Sequence, residues 1–395
     1  MATTFKFGNG NWAVKEDLAL AYNDENGNFK PLPFDFTRAS TATRVNKDGL
    51  IETVPSGKPR IDFTDNTSGH LLLEPSRTNY SIYSEDTSTW SYVEFGSGSA
   101  GTITTGKTDM FGGTNAVQID FPANAENVSI QFGHTSSSIS SGSAQTSLYI
   151  KLVGSATPDK IIQLRTGSDA ENTTISGDSF VRYTKTHTKT SNEAFIIKLR
   201  PSEGTSSGGF SIIVCHPQEE VGSYATSYIP TSGSSVTRSA EVADESGNSS
   251  VFNDSEGVFY AEIAALADDG TARRITISDG TNSNRIVIAY HTVSNQFLYI
   301  IVVGNSVVAS NVYTTTDTKD YHKVAVKYKE NDFAFWVDGV ERHSDSSGST
   351  FPNGTLDQIQ FTQGAGGGVY FYGKTKDLRV YDTALSDSEL QALTS

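Results

Sequence analysis

One cysteine, two methionines and three tryptophans are all that this chain of 395 residues carries of those types. With Cys215 alone, no internal disulfide can form, and synthesis in a reducing cytoplasm is compatible. The seven histidines (70, 134, 187, 216, 291, 322 and 343) show no His-x-x-x-His or Cys/His ligand spacing, so zinc is not expected. No window approaches the ~18 apolar residues of a membrane span, and no basic stretch followed by an apolar run opens the chain. Membrane insertion and signal-directed export are therefore not expected. Basic residues are also in deficit, 30 against 45 acidic ones, giving a net charge of −15 with no basic cluster. Phosphate backbones would be repelled, which argues against nucleic-acid binding.

What remains is polar and rich in turn formers. Hydrophobic residues make up 36% and glycines number 35, a composition suited to many short strands joined by polar turns. A chain of this length exceeds what one core usually organises, so two or three domains are expected. Residues 1–69 hold 8 basic and 9 acidic groups, residues 70–250 hold 11 and 18, and residues 251–395 hold 11 and 18. The net charges of −1, −7 and −7 place the acidity in the second and third segments and leave the first free to pack against another protein.

Residues 1–69 hold Phe5, Phe7, Trp12, Phe29, Phe34 and Phe36 but no long periodic segment, and Pro31, Pro33, Pro55 and Pro59 keep much of the segment extended. Two readings stay open, an arm for anchoring or subunit assembly and a first strand layer of the middle domain. Residues 70–243 read as β throughout, with candidate strands at 114–121, 127–132, 146–153, 160–165, 180–188, 194–199 and 210–215. Alternation in Ser147–Leu152 puts Leu148, Ile150 and Leu152 on one face. Residues 244–256 hold few apolar side chains and read as a linker. Ten strands are expected beyond it, at 257–265, 274–278, 285–291, 296–303, 307–312, 322–329, 333–337, 358–362, 369–372 and 378–381. Asp338-Gly339 supplies the two positive-φ positions of a tight hairpin, and Ser386 with Glu389 forms a capping box opening a short helix.

Two blocks resemble a known family. Gln218–Ser223, Ala225–Thr231 and Val236–Arg238, together with Leu71–Asn79, resemble the carbohydrate-binding-module-like jelly roll of tailed-bacteriophage structural proteins. Phe34–Arg38, Ala42–Val45, Gly49–Glu52 and Pro59–Asp62 resemble the arm that precedes it there. The tryptophan hairpin, final strand and closing helix resemble a laminin-G or concanavalin-like lectin/glucanase sandwich over about residues 252–395. The resemblance implies an all-β chain: an N-terminal arm (1–69), a jelly roll (70–243), a linker (244–256) and the lectin-like sandwich (257–395). It further implies a non-enzymatic fibre, spike or capsid-decoration protein on a virion surface, made in the host cytoplasm. Its partners would be other virion proteins through residues 1–69 and bacterial surface glycans, and its state a homo-oligomer, a trimer. The alternative is a polysaccharide-degrading enzyme or its non-catalytic accessory module.

Site chemistry is sparse. Sugar recognition needs an aromatic platform with hydrogen-bonding groups nearby, and Trp90, Tyr92, Tyr290 and Tyr299 are the candidates. Glu330-Asn331-Asp332 approaches the paired-acid pattern of some glycosidases, but Phe335 stands where the second glutamate would be. Cys215 and His216, as neighbours on a strand, would point to opposite faces. Gly364–Gly368 lacks the Lys-Ser/Thr of a phosphate loop and reads as a turn. No cofactor is expected. The resemblance to jelly rolls and laminin-G domains leaves a structural calcium open, to which acidic pairs such as Asp268-Asp269 could contribute oxygens, with no ligand set assigned.

Overall fold

A computed structural model describes residues 3–10, 12–15, 18–23, 30–94, 101–123, 128–132, 138–139, 142–154, 160–166, 169–189, 193–194, 197–201, 209–365 and 368–395. The fold is all-β, built from antiparallel sheets, with one α-helix among the described residues. The chain divides into two compact units. The first comprises Met1–Thr41, Val54–Pro75 and Ala240–Ser395, and the second Ala42–Thr53 and Ser76–Ser239.

Unit 1 is a sandwich. One sheet runs through Phe5–Gly8, Gly373–Tyr381, Glu256–Ala265, His322–Lys329, Phe333–Val337 and Val340–Asp345. The facing sheet runs through Ser306–Thr314, Gln296–Val303, Arg285–Tyr290, Arg273–Ser278 and Gln358–Gln360. Period-two alternation decides which side chains meet between them. Ile275 and Ile277, Ile286, Ile288 and Tyr290, and Phe297, Tyr299 and Ile301 all enter one core. Each such side chain contributes roughly 1.5–3 kcal/mol by leaving water.

Residues 1–69 are not an arm in this structure. Phe5–Gly8 pairs with the C-terminal strand in the register Phe5↔Val380 to Gly8↔Asp377, and His70–Leu73 takes the remainder of that strand's edge, with Thr375 opposite Leu71. Phe5 and Phe7 are buried, each edge-on to Phe34 at 6.1 and 5.2 Å. A segment with too little surface to form its own interior is stabilised by its neighbours' cores, and here the stretches up to Thr41 and from Val54 join the C-terminal sandwich while Ala42–Thr53 joins the second unit. Gly8 shows how close the approach is: φ is 93°, and a Cβ would come within 2.3 Å of the Lys376 carbonyl.

The stretch 244–256 is not a linker either. Val242–Asp244 pairs with Asp35–Thr37, and Val251 and Phe252 are buried in the core. The Asp254 carboxylate accepts from the backbone N–H groups of Gly354 (2.6 Å), Thr355 (3.2 Å) and Leu356 (2.8 Å), holding that loop. Low apolar content misled because the few apolar residues present are the ones that pack. Residues 369–372 form no strand; Phe371 is a core plug, and the strand Gly373–Tyr381 begins just after it. The Asp338-Gly339 hairpin has φ of 51° and 73°. The capping box of Ser386 and Glu389 starts the helix Asp387–Thr394, whose Leu390 buries Trp336, Tyr260 and Tyr381 on the outer face of the first sheet.

Unit 2 is a sandwich of two five-stranded sheets. One orders Ser91–Glu94, Val128–Phe132, Ile197–Pro201, Lys160–Thr166 and Asp169–Ile175. The other orders Thr102–Lys107, Ala116–Phe121, Phe210–Val221, Gly142–Leu152 and Val181–Lys189. Val117, Ile119, Leu148, Ile150, Leu152, Ile212 and Val214 face inward. Its entry and exit strands, Arg77–Asn79 and Val236–Arg238, pair with each other. The chain thus leaves unit 1 at Pro75 and returns to it at Ala240, so most of unit 2 is a single insertion into unit 1 and the boundaries at 69, 243 and 257 are replaced by these.

Candidate functional site

The expected sugar platform is not where the sequence placed it. Trp90 is buried in the core of unit 2 and donates Nε1–H to the Tyr83 carbonyl at 3.2 Å. Tyr290 is buried in unit 1 against Phe297 and Phe371, and Tyr299, also buried, stacks on Phe335 at 4.8 Å with its hydroxyl 2.8 Å from His343 Nδ1. Both tyrosines share strand parity with inward isoleucines, and that alternation is the signal that assigns them to the core. The side chain of Tyr92 lies outside the described residues.

The face that combines rings, amides and a carboxylate is the outer surface of the unit 2 sheet containing Ala116–Phe121. Registers Gln118↔Ile213, Asp120↔Ser211 and Lys151↔Ile213 set Gln118, Asp120, Ser211 and Lys151 on it together. Asp120 accepts from Thr102 Oγ1 (2.7 Å), Gln118 Nε2 (2.7 Å) and Ser211 Oγ. Partial burial acts to raise the Asp120 carboxyl, but the bonds from Ser211, Gln118 and Thr102 outweigh it and hold the group below the usual carboxylate range. Lys151 Nζ lies 4.6 Å from the centre of the half-buried Phe180 ring, and Arg182 lies 5.6 Å from the Tyr149 ring while donating to Ser147 Oγ at 2.8 Å. At one end of this face Ile51 closes an apolar cluster with Met110, Tyr149, Cys215 and Tyr228. A fixed anion, two cations and a partly open ring within one sheet face can order hydroxyl groups and cover a pyranose. The sequence signal was present in the outward parity of Gln118 and Asp120, but without strand register it could not be joined to Phe180.

Cys215 and His216 do not fall on opposite faces. The register slips between Ser147↔Gln218 and Tyr149↔Cys215, His216 adopts φ 54°, and both residues contact Tyr149 and Tyr228. His216 Nδ1 is 2.8 Å from Glu85 Oε1, and Tyr228 donates its hydroxyl to the same oxygen. Burial pushes the Cys215 thiol well up, which disfavours the thiolate that a nucleophile needs.

The family-like blocks prove to be closure hardware. Asn79 donates to the Ile229 carbonyl at 2.8 Å and accepts from the N–H groups of Ser81 and Glu219, both at 3.0 Å. Glu220 accepts from Gln218 Nε2 (2.8 Å), Thr226 N (2.8 Å) and Thr226 Oγ1 (2.6 Å). These polar side chains are buried and tie the ends of the insertion together.

Acidic pairs flagged for other chemistry are engaged. Asp268 accepts from Asn295 N at 3.0 Å, and Asp269 accepts from Thr271 N at 3.1 Å and pairs with Arg273 at 2.8 Å. Among the described residues no three His, Cys, Asp or Glu side chains converge as a metal site would require. Asp332 pairs with Lys327 at 2.6 Å and Glu330 is exposed on the turn through Asn331. Residues 366 and 367 of the glycine run lie outside the described residues. No described helix is long and apolar enough to cross a membrane.

An all-β protein with a lectin-like sandwich is the class defined by these features. Residues 248–391 match the laminin G profile of the concanavalin A-like lectin/glucanases superfamily. No curated protein matches the chain. Among solved structures, a leech intramolecular trans-sialidase aligns at 16% identity and TM-score 0.32 over 38% of this chain and 26% of its own. The receptor-binding domain of a botulinum neurotoxin mosaic serotype C/D aligns at 12% and 0.30 over 38% of each. Laminin α1 domains LG4-5 from mouse align at 10% and 0.26 over 73% of this chain and 95% of that one. The chain thus spans well under two thirds of the first two proteins.

Proposed function

We propose that the protein is a non-catalytic saccharide-recognition component of a tailed-phage virion, displayed in a head or tail fibre, a spike or a capsid decoration. The match of residues 248–391 to the lectin/glucanases superfamily carries the recognition half of this reading. The open ring and polar network around Phe180 and Asp120 support a second recognition face in unit 2. The virion half, with homotrimeric assembly, virion partners and a surface location, rests on the sequence blocks in Leu71–Asn79 and Gln218–Arg238. A non-catalytic role is supported by the use of Asp254, Glu220 and Asp120 as acceptors that hold loops and strands. Incubating the full chain with intact bacterial cells tests the reading. Depletion of the protein onto cells, with no release of reducing ends, is expected; steady release of reducing ends, or no depletion on any host, would overturn it. Light scattering on the purified full chain tests the trimer, and a monomer would contradict it.

A further inference from the structure

Arg274 and Arg285 occupy neighbouring strands on the outer face of the second sheet of unit 1. Arg274 stands opposite Ala289, Arg285 opposite Ser278, and the pair Thr276↔Val287 lies between them. Next across are Leu298 and Ile300, and beyond them the 40% exposed Val312. Among the described residues Arg274 makes no side-chain hydrogen bond and no ion pair, and its Nε is buried without a partner. The Nε of Arg285 is equally unpartnered, while its Nη1 donates to Gln363 O (2.7 Å) and Asn282 Oδ1 (2.5 Å). Among the described residues no carboxylate pairs with either charge. Burial lowers the pKa of Arg274 and of Arg285, and Arg274 lowers that of Arg285 further.

The contrast with adjacent arginines is informative. Arg273, one residue away on the opposite face, is paired with Asp269; Arg60 has Glu74 and Glu241; Arg379 has Asp377. In a chain of net charge −15, carboxylates are plentiful, yet none of the described ones is placed against this pair. Two half-desolvated guanidiniums repel each other, and an anion bound in their forks would relieve that cost.

We propose that Arg274 and Arg285 bind the carboxylate, phosphate or sulfate of an acidic glycan, with the partly exposed Leu298 and Ile300 as the shelf beneath its sugar ring. This rests on the saccharide-recognition reading and adds to it the ligand's charge. A glycan is favoured over a nucleic acid because the chain as a whole carries a net charge of −15 and, among the described residues, no basic stripe extends from the pair.

Calorimetric titration of the full chain tests it, using uronate-, phosphate- and sulfate-bearing oligosaccharides, neutral oligosaccharides of equal length, inorganic phosphate and a single-stranded oligonucleotide. An acidic oligosaccharide should bind, Arg274→Gln should weaken it about tenfold or more, and Arg274→Lys should recover part of the loss. Inorganic phosphate should compete weakly, as the shared anion without the sugar. Unchanged melting of both variants separates lost binding from lost folding. Equal binding by wild type and Arg274→Gln overturns the proposal. Binding of neutral oligosaccharides alone removes it but leaves saccharide recognition standing, whereas silence across the whole panel removes both. Oligonucleotide binding abolished by Arg274→Gln would reassign the anion and also overturn it.

Discussion

Arg60 grips both carboxylate oxygens of Glu241, Nε donating to Oε1 at 2.8 Å and Nη2 to Oε2, with both side chains sealed from solvent although 181 residues separate them. Arg38 Nη1 adds a bond to Oε1 at 2.7 Å, Glu74 N one to Oε2 at 2.9 Å, and the Glu74 carboxylate takes Arg60 Nη2 at 2.9 Å. Three separate stretches of unit 1 are joined at one buried point. Burial acts to depress the Arg60 guanidinium, but Glu241 and Glu74 more than offset it and hold it fully charged. Removing one partner of such a pair typically costs about 3–5 kcal/mol, because the remaining charge stays buried. Glu241→Gln should therefore lower the unfolding free energy of unit 1 by about that amount in urea titration. A loss below about 1 kcal/mol would show that the cluster is not a structural tie.

His70 sets a pH dependence. Its own burial dominates, the attraction of Asp62 opposes it, and Lys374 and Lys376 add to it, so the imidazolium is pushed down to about 4 from 6.5. Between those values the unfolded chain binds the proton and the folded chain does not, so this contribution is complete above pH 6.5 and is lost as pH falls towards 4. The whole effect is about 3 kcal/mol. Denaturant midpoints measured from pH 4 to 7 should rise with pH, and His70→Asn should flatten that slope.

The C-terminal helix covers Trp336 through Leu390, which is fully buried. Leu390→Ala should cost about 2–5 kcal/mol, and Ser386→Ala, which removes half of the capping box, about 1 kcal/mol. Calorimetric melting checks the ranking. Equal effects would mean that the helix end, rather than its apolar contact, secures it.

Much of this fold was legible because it is written locally. The strands around Gln296–Val303 and His322–Lys329 announce themselves by alternation, and Asp338-Gly339 by the φ values it alone tolerates. What could not be read is pairing at a distance. Nothing near Phe5 says that its partner is Val380, and nothing near Val251 and Phe252 says that a core lies over them. The site suffered similarly. An aromatic on a strand is inward or outward by parity alone, and Tyr290 and Tyr299 were inward. Phe180 joins Lys151 and Asp120 only through a register set by three strands. In the resemblance blocks the buried Asn79, Gln218 and Glu220 are held by hydrogen bonds to Ile229, Thr226 and one another, contacts that a linear reading of the blocks does not announce.

Cys215 should be silent to thiol reagents in the folded protein. It is fully buried and its thiol is held well above its ordinary range by burial. Modification by an aromatic disulfide should appear only as urea unfolds unit 2. Stoichiometric reaction within minutes in native buffer would show that the cluster around Tyr149 and Tyr228 opens readily.

The half-buried Phe180 ring is the test of the unit 2 face. Phe180→Ala should weaken saccharide binding about five- to tenfold, the value of one stacking contact, while leaving the melting temperature of unit 2 nearly unchanged.

The most direct measurement is the full chain applied to an array of bacterial surface polysaccharides. Selective retention on a defined subset, with the arrayed saccharide left intact, is the result expected of a lectin-like β-sandwich protein. Uniform absence of retention, or erosion of the arrayed saccharide, would contradict it.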